Sequence, residues 1–161
     1  MELAEIGKNI LTNCMNVKPG ENVLIVTDDE KYAIGQALYQ AAKLLKAEAM
    51  LMTMPAREVS GQEPPSVVAA AMKAADVVIC PMKTSITHTR AKIEAAEAGA
   101  RIATMPGITE EMFAMGAMTA DYSRVMALTE QVTDLLTKAN TARIEKDGHV
   151  LTLDLRGRRG V

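Results

Sequence analysis

The chain has 161 residues, 48% hydrophobic and 24% charged, a composition that suits one folded domain and excludes wholesale disorder. At this length roughly 70% of the unfolded chain's surface is buried on folding, enough for a core without disulfides or metals. Lys and Arg number 18 against 20 Asp and Glu, for a net charge of −2, and there are 3 Tyr, 1 Phe and no Trp. A phosphate backbone would find no basic surface here and bases no stacking platform, so nucleic acid is not an expected partner.

Leu3, Ile6, Ile10 and Cys14 step by three, four and four, one face of an opening helix that stops near Pro19-Gly20. Asn22 to Val26 is a continuous apolar run, as in a strand buried on both faces of a parallel sheet. Thr27-Asp28-Asp29-Glu30 follows, where an Asp can cap a helix carrying Ile34, Leu38, Ala41, Ala42 and Leu45. Ala49 to Met54 predicts a second strand. After a loop to Pro65, a helix opens with Val68, Met72 and Ala75 on one side.

Asp76 to Cys80 predicts a third strand, closed by Pro81. A polar loop leads to a helix over Ala91 to Ala98, ended by Gly99. Arg101 to Met105 is the fourth strand. Thr109-Glu110-Glu111 caps a further helix, Gly116 breaks it, and from Tyr122 it resumes with Val125, Leu128, Val132 and Leu135 as a stripe. That stripe fits either core or a self-association seam. Beyond Arg143 the apolar period becomes two, around the turn dipeptide Asp147-Gly148.

The expected fold is therefore α/β: a doubly wound, Rossmann- or flavodoxin-like, mostly parallel sheet of four βα repeats in the order 2-1-3-4, plus a C-terminal β-hairpin. Residues 1–140 are expected to form this domain. Residues 141–161, hairpin and tail, read as the start of a further, metal-binding domain lying outside the chain, because a lone hairpin is marginal in water; the alternative is a hairpin that adds an edge to the sheet and ends in a frayed tail. Twelve methionines are expected to fill core gaps.

Neither a signal peptide nor a membrane-length apolar run is present, so the expected location is cytoplasmic, with no membrane partner. Cys14 and Cys80 read as reduced core thiols; the alternative is a nucleophilic Cys80 paired with His88. The sequence has no G-x-G-x-x-G after the first strand, no P-loop, no H-E-x-x-H and no G-x-S-x-G. His149 reads as a surface residue beside the hairpin turn. Ligands of open α/β sheets bind beyond the carboxyl ends of the strands. Asp28, Asp29 and Glu30 could hold a cation there or simply cap a helix, and Arg57 and Glu58 read as solvated loop charges. The densest polar stretch is Lys83, Thr84, Ser85, Thr87, His88, Thr89 and Arg90, just before a helix. Lys83, Thr84, Ser85, His88 and Arg90 are the expected substrate- or anion-binding residues, with ordinary N-capping as the plainer explanation. No catalytic residue and no metal ligand is assigned within the chain.

Four stretches together resemble a known family: Ile10 to Asp28 with Val17-Lys18-Pro19-Gly20; Gly61-Gln62-Glu63-Pro64-Pro65; Ala74 to Ile79 with Ser85-Ile86-Thr87-His88-Thr89; and Glu97 to Gly107. They are similar to the N-terminal domain of the aminopeptidase T family, metal-dependent leucyl aminopeptidases of the M29-like group, and of 2,5-dihydroxypyridine dioxygenase-like relatives. The resemblance implies a two-domain protein of about twice this length, with a divalent metal held by a C-terminal domain and no cofactor in this chain. It implies the N-terminal domain of a metal-dependent leucyl aminopeptidase-like protein, which forms one wall of a cleft for a small-molecule or peptide substrate, joins a homo-oligomer and is inactive alone. Half of a non-haem dioxygenase-like metalloenzyme, a small-anion-binding α/β module without catalysis and an assembly domain dimerising through the Val125–Leu135 stripe are the alternatives, and enzyme activity of this chain by itself is left open.

Overall fold

The computed structural model describes residues 3–160. Two compact units divide the chain, Met1–Ala120 and Asp121–Val161, ahead of the division expected at residue 140. In the first, α1 (Leu3–Asn13) leads to β1 (Asn22–Asp28), α2 (Tyr32–Leu44), β2 (Glu48–Met54), α3 (Ser66–Ala74), β3 (Val77–Met82), α4 (Arg90–Glu97), β4 (Arg101–Pro106) and the short α5 (Glu110–Ala114). The four strands run parallel in the expected order β2-β1-β3-β4.

Alternation along the central strands sends side chains to two cores. Val23 and Ile25 of β1 and Val77 and Ile79 of β3 pack with Ile6, Ile10 and Leu11 of α1, Ile34, Leu38 and Ala41 of α2, and Phe113. Leu24 and Val26, with Val78 and Cys80, pack on the other face against Val68 and Met72 of α3 and Ala91 and Ala95 of α4. Each fully buried Leu, Ile or Val contributes about 1.5–3 kcal/mol, so the sheet is held from both sides. The chain goes from β1 to its neighbour on one side, then crosses back to β3 and on to β4. The carboxyl ends of β1 and β3 therefore form the topological switch point.

Three expectations change. First, β3 does not close at Pro81 but continues to Met82. A residue's N–H and C=O point to the same side of a strand, and the Pro81 carbonyl accepts the Thr27 hydroxyl of β1 at 3.0 Å. The missing proline N–H thus faces β1, whose pairing with β3 has already ended at Ile25–Ile79. Second, the methionines fill the cores only in part: Met15, Met54, Met72 and Met82 are buried and Met52, Met105 and Met118 pack against the cores partly buried, but Met50, Met112, Met115 and Met126 are exposed. Third, Cys14 is exposed while Cys80 is buried.

At the amino ends of the strands, Arg101 Nε donates to the Met15 carbonyl (3.0 Å) and Nη2 to Glu21 (2.6 Å), which holds the Glu21 carboxyl below its ordinary range. No helix among the described residues is long and apolar enough to cross a membrane.

In the second unit, Asp121 caps α6 (Tyr122–Lys138) by accepting from Arg124 N at 3.2 Å. Strands β5 (Thr141–Lys146) and β6 (His149–Asp154) pair antiparallel about Asp147 and Gly148, both at positive φ (50° and 78°), as a two-residue hairpin turn requires. His149 opens β6 and is exposed, as expected. The tail returns to α6, where Gly160 N donates to Thr137 Oγ1 at 2.9 Å. No described residue of this unit is buried. Val125, Leu128, Val132 and Leu135 are 46–69% exposed, so the stripe is not a core within this unit.

Helix α2 lies so close to β1 that a Cβ at Gly35 would sit 2.9 Å from Thr27 Cγ2. Gly35→Ala is expected to destabilise the chain by about 1–3 kcal/mol in chemical denaturation, although alanine favours helix by about 1 kcal/mol. Thr27→Ser, which removes the methyl and keeps the hydroxyl, should recover part of that loss.

Candidate functional site

The crown of loops at the carboxyl ends of the strands is organised by Asp28, fully buried at the end of β1. Its Oδ1 accepts from Glu30 N (3.1 Å) and Lys31 N (3.0 Å), capping the 3-10 turn Asp29–Lys31. Its Oδ2 accepts from Lys83 N (2.6 Å), the residue after β3. One carboxylate thus satisfies three amides from two loops. Capping, one of the two roles open to this acidic run in the sequence, is what Asp28 performs. Asp29 Oδ1 accepts from Ala56 N (2.9 Å), which draws in the β2–α3 loop.

The expected site residues part company here. Lys83 extends from the crown and pairs with Glu30 at 2.6 Å, and that carboxylate raises the ammonium above its ordinary value. The Ser85 hydroxyl donates to Thr87 Oγ1 (2.9 Å) and accepts from Thr87 N (3.2 Å), while the Thr87 and Thr104 hydroxyls share a hydrogen bond of 2.9 Å. This chain of hydroxyls joins the β3–α4 loop to β4. His88 is exposed on the same loop. Thr84 is partly covered, and its Oγ1 is buried without a partner.

Arg90 is not brought to this group. Its side chain is 86% exposed and runs along α4 to Glu94 at 3.2 Å. The α4 N-terminus is also taken. Glu63 accepts from Arg90 N (2.6 Å) and Ala91 N (3.2 Å), and the Thr89 hydroxyl from Lys92 N (3.3 Å). The chain's own carboxylate occupies the place where the sequence suggested a ligand anion.

Sequence reasoning passed over Arg57. It is half-buried rather than solvated, its Nε is shut from solvent without a partner, and it enters no ion pair among the described residues. The one available signal was its position directly after a strand of a doubly wound sheet. A cavity of about 170 Å³ at this end is lined by Glu30, Lys31, Ile34, Ile108 and Thr109. A larger depression of about 740 Å³ runs along edge strand β2, beside Tyr39, Met50 and Ala71. Its lining is mostly apolar and carries no charged side chain.

Among the described residues no group of three His, Cys, Asp or Glu side chains could hold a metal ion. Cys80 faces the α3–α4 core, and burial pushes its thiol up to about 12. His88 is exposed on the loop that follows, so the two make no nucleophile–base pair.

These features define a doubly wound α/β domain with a polar crown at its switch point. The chain belongs to the 2,5-dihydroxypyridine 5,6-dioxygenase (NicX) family, whose sequence model matches residues 2–159. Among solved structures it is similar to 2,5-dihydroxypyridine dioxygenase from Pseudomonas putida KT2440, at 18% identity and TM-score 0.69, over 95% of this chain and 47% of that one. It is also similar to wild-type AmpT from Thermus thermophilus, at 12% identity and TM-score 0.55, over 94% of this chain and 53% of that one. Both relatives named from the motifs are thus matched. No curated protein sequence matches the chain. It spans about half the length of these two solved chains.

Asp28→Ala strips three amides of their acceptor and is expected to cost at least about 3 kcal/mol in denaturant unfolding, with Asp28→Asn losing less. A thiol-reactive dye at pH 8 should label one cysteine in the native chain and both after denaturation, and Cys14→Ser should abolish the native labelling.

Proposed function

We propose that this chain is one half of a metal-dependent enzyme of the dioxygenase family, and that its crown forms one wall of the substrate cleft. The observation that carries this reading is the family match over residues 2–159, set beside coverage of only 47% of the solved dioxygenase. With no metal-ligating group among the described residues, a divalent metal is assigned to a part of the protein outside them. The metal would supply activation of the small reactant. This chain supplies hydrogen-bonding groups from Thr84, Ser85, Thr87 and His88, suited to a small polar substrate.

The aminopeptidase reading takes second place, because the likeness to AmpT has the lower TM-score and the family match is to the dioxygenase. The exposed apolar residues of α6 and the hairpin are assigned to contact with the remaining half, since nothing else in the second unit covers them.

Protein purified from its own cells tests this reading by intact mass, metal content and turnover. The expected result is about twice the mass of this chain, a bound divalent metal, and chelator-sensitive oxygen uptake with 2,5-dihydroxypyridine. Release of amine from leucine amide in place of oxygen uptake would favour the second reading. Chelator-sensitive turnover by the 161-residue chain alone would place the metal within it and overturn the assignment.

A further inference from the structure

Strand β2 forms one margin of the sheet and pairs only with β1, in unbroken register over all seven residues. Among the described residues no other strand meets its outer side, so a row of backbone N–H and C=O groups faces outward there. Sheet edges are commonly blunted by Lys, Pro or a bulge. The opposite margin follows that practice, since β4 opens on Arg101 and ends on Pro106. Strand β2 reads Glu-Ala-Met-Leu-Met-Thr-Met, with no basic residue, no proline and one charge at its first position.

The side chains beside this edge are also left open. Met50 is 41% exposed. Met50 and Met52 stand on the α3 face of the strand, where the depression of about 740 Å³ is walled by Ala71 and Ala74. Alanines are too short to cover two methionines from that helix. Leu51 stands on the α2 face with Tyr39, whose ring carries the Lys43 ammonium at 5.4 Å.

We propose that β2 is a self-association edge, on which a second copy of this chain adds its own β2 antiparallel and continues the sheet across a two-fold axis. A two-fold interface needs a patch that complements itself. Met50-Leu51-Met52 is a palindrome. With the axis at Leu51, that residue meets its own copy on the α2 face, and Met50 of each copy meets Met52 of the other on the α3 face. The added methionines fill the space beside Ala71 and Ala74, as unbranched side chains fill irregular gaps.

The charges agree with this direction. Helices that cross over a parallel sheet return the chain to the amino ends of the strands. Lys43 and Lys73, in the last turns of α2 and α3, therefore lie with Glu48 at the amino end. Arg57 and Glu58 follow the carboxyl end of β2. None of these five enters an ion pair among the described residues. Antiparallel pairing lays each end on the opposite end of the other copy, acid towards cation in both directions, whereas parallel pairing would set Glu48 against Glu48. A seven-residue strand is about 23 Å long, which puts the interface near the lower bound of about 1,000 Å² for specific pairs, so the association is weak. It is separate from α6 and the hairpin, which are assigned to the remaining half, and it does not depend on the crown reading.

The test is sedimentation velocity of the 161-residue chain from low micromolar to near-millimolar concentration. A reversible dimer dissociating at about 10–100 μM is expected. Met50→Lys and Thr53→Lys, both at exposed positions, should each raise the dissociation constant at least about tenfold, with unchanged circular dichroism certifying the fold. Leu135→Lys, on the α6 stripe, should leave the dimer as it is. Amide hydrogen exchange of the parent chain needs no variant: outward amides within residues 48–54 should exchange more slowly at high concentration than at low. A chain that is monomeric throughout overturns the proposal. So does a dimer that survives both lysine variants, or one that Leu135→Lys dissociates while residues 48–54 exchange at an unchanged rate, which would give self-association to α6.

Discussion

A single buried carboxylate organises the working end of this molecule. Asp28 is withdrawn from water at the end of β1, yet its two oxygens receive three backbone amides, two from its own turn and one from the residue after β3. A buried charge is tolerable only when hydrogen-bonded in this way. The loops after two central strands thereby take fixed positions. Asp29 extends the arrangement to the β2–α3 loop, and the hydroxyls of Ser85, Thr87 and Thr104 extend it to β4. Every group discussed as a ligand contact hangs from this framework.

Beneath the crown the sheet meets an awkward residue with a local device. Pro81 near the end of a central strand removes a donor, and the fold places that gap where β1 has stopped pairing. The Thr27 hydroxyl then takes the proline carbonyl, and the Thr27 methyl presses against Gly35 of α2. One threonine so serves a hydrogen bond and a close helix–strand contact. The site above depends on both, since Asp28 is the next residue.

The two units differ in kind. The first has a double-sided core, whereas the second exposes the apolar residues of its helix and hairpin and has no buried described residue. A small unit of that composition needs a covering surface. The chain spans about half the length of these two solved relatives.

Local chemistry determined much of this. The strands, the Thr109 cap, the Asp-Gly turn and the two-faced burial of the sheet follow from periodicity, capping preference and turn residues, which act over a few positions, whereas the strand order came by analogy with doubly wound folds. So did the place to look for ligands, since the switch point follows from strand order. What tertiary structure alone decided is which polar groups are already spoken for. Glu63 reaches the α4 N-terminus from 27 residues away, and Lys83 finds Glu30 across 53. Arg57, which reads as a solvated charge, is half-buried with its Nε shut from solvent. Hydrogen-bond satisfaction is a property of groups brought together by folding, and no local pattern in the chain records it.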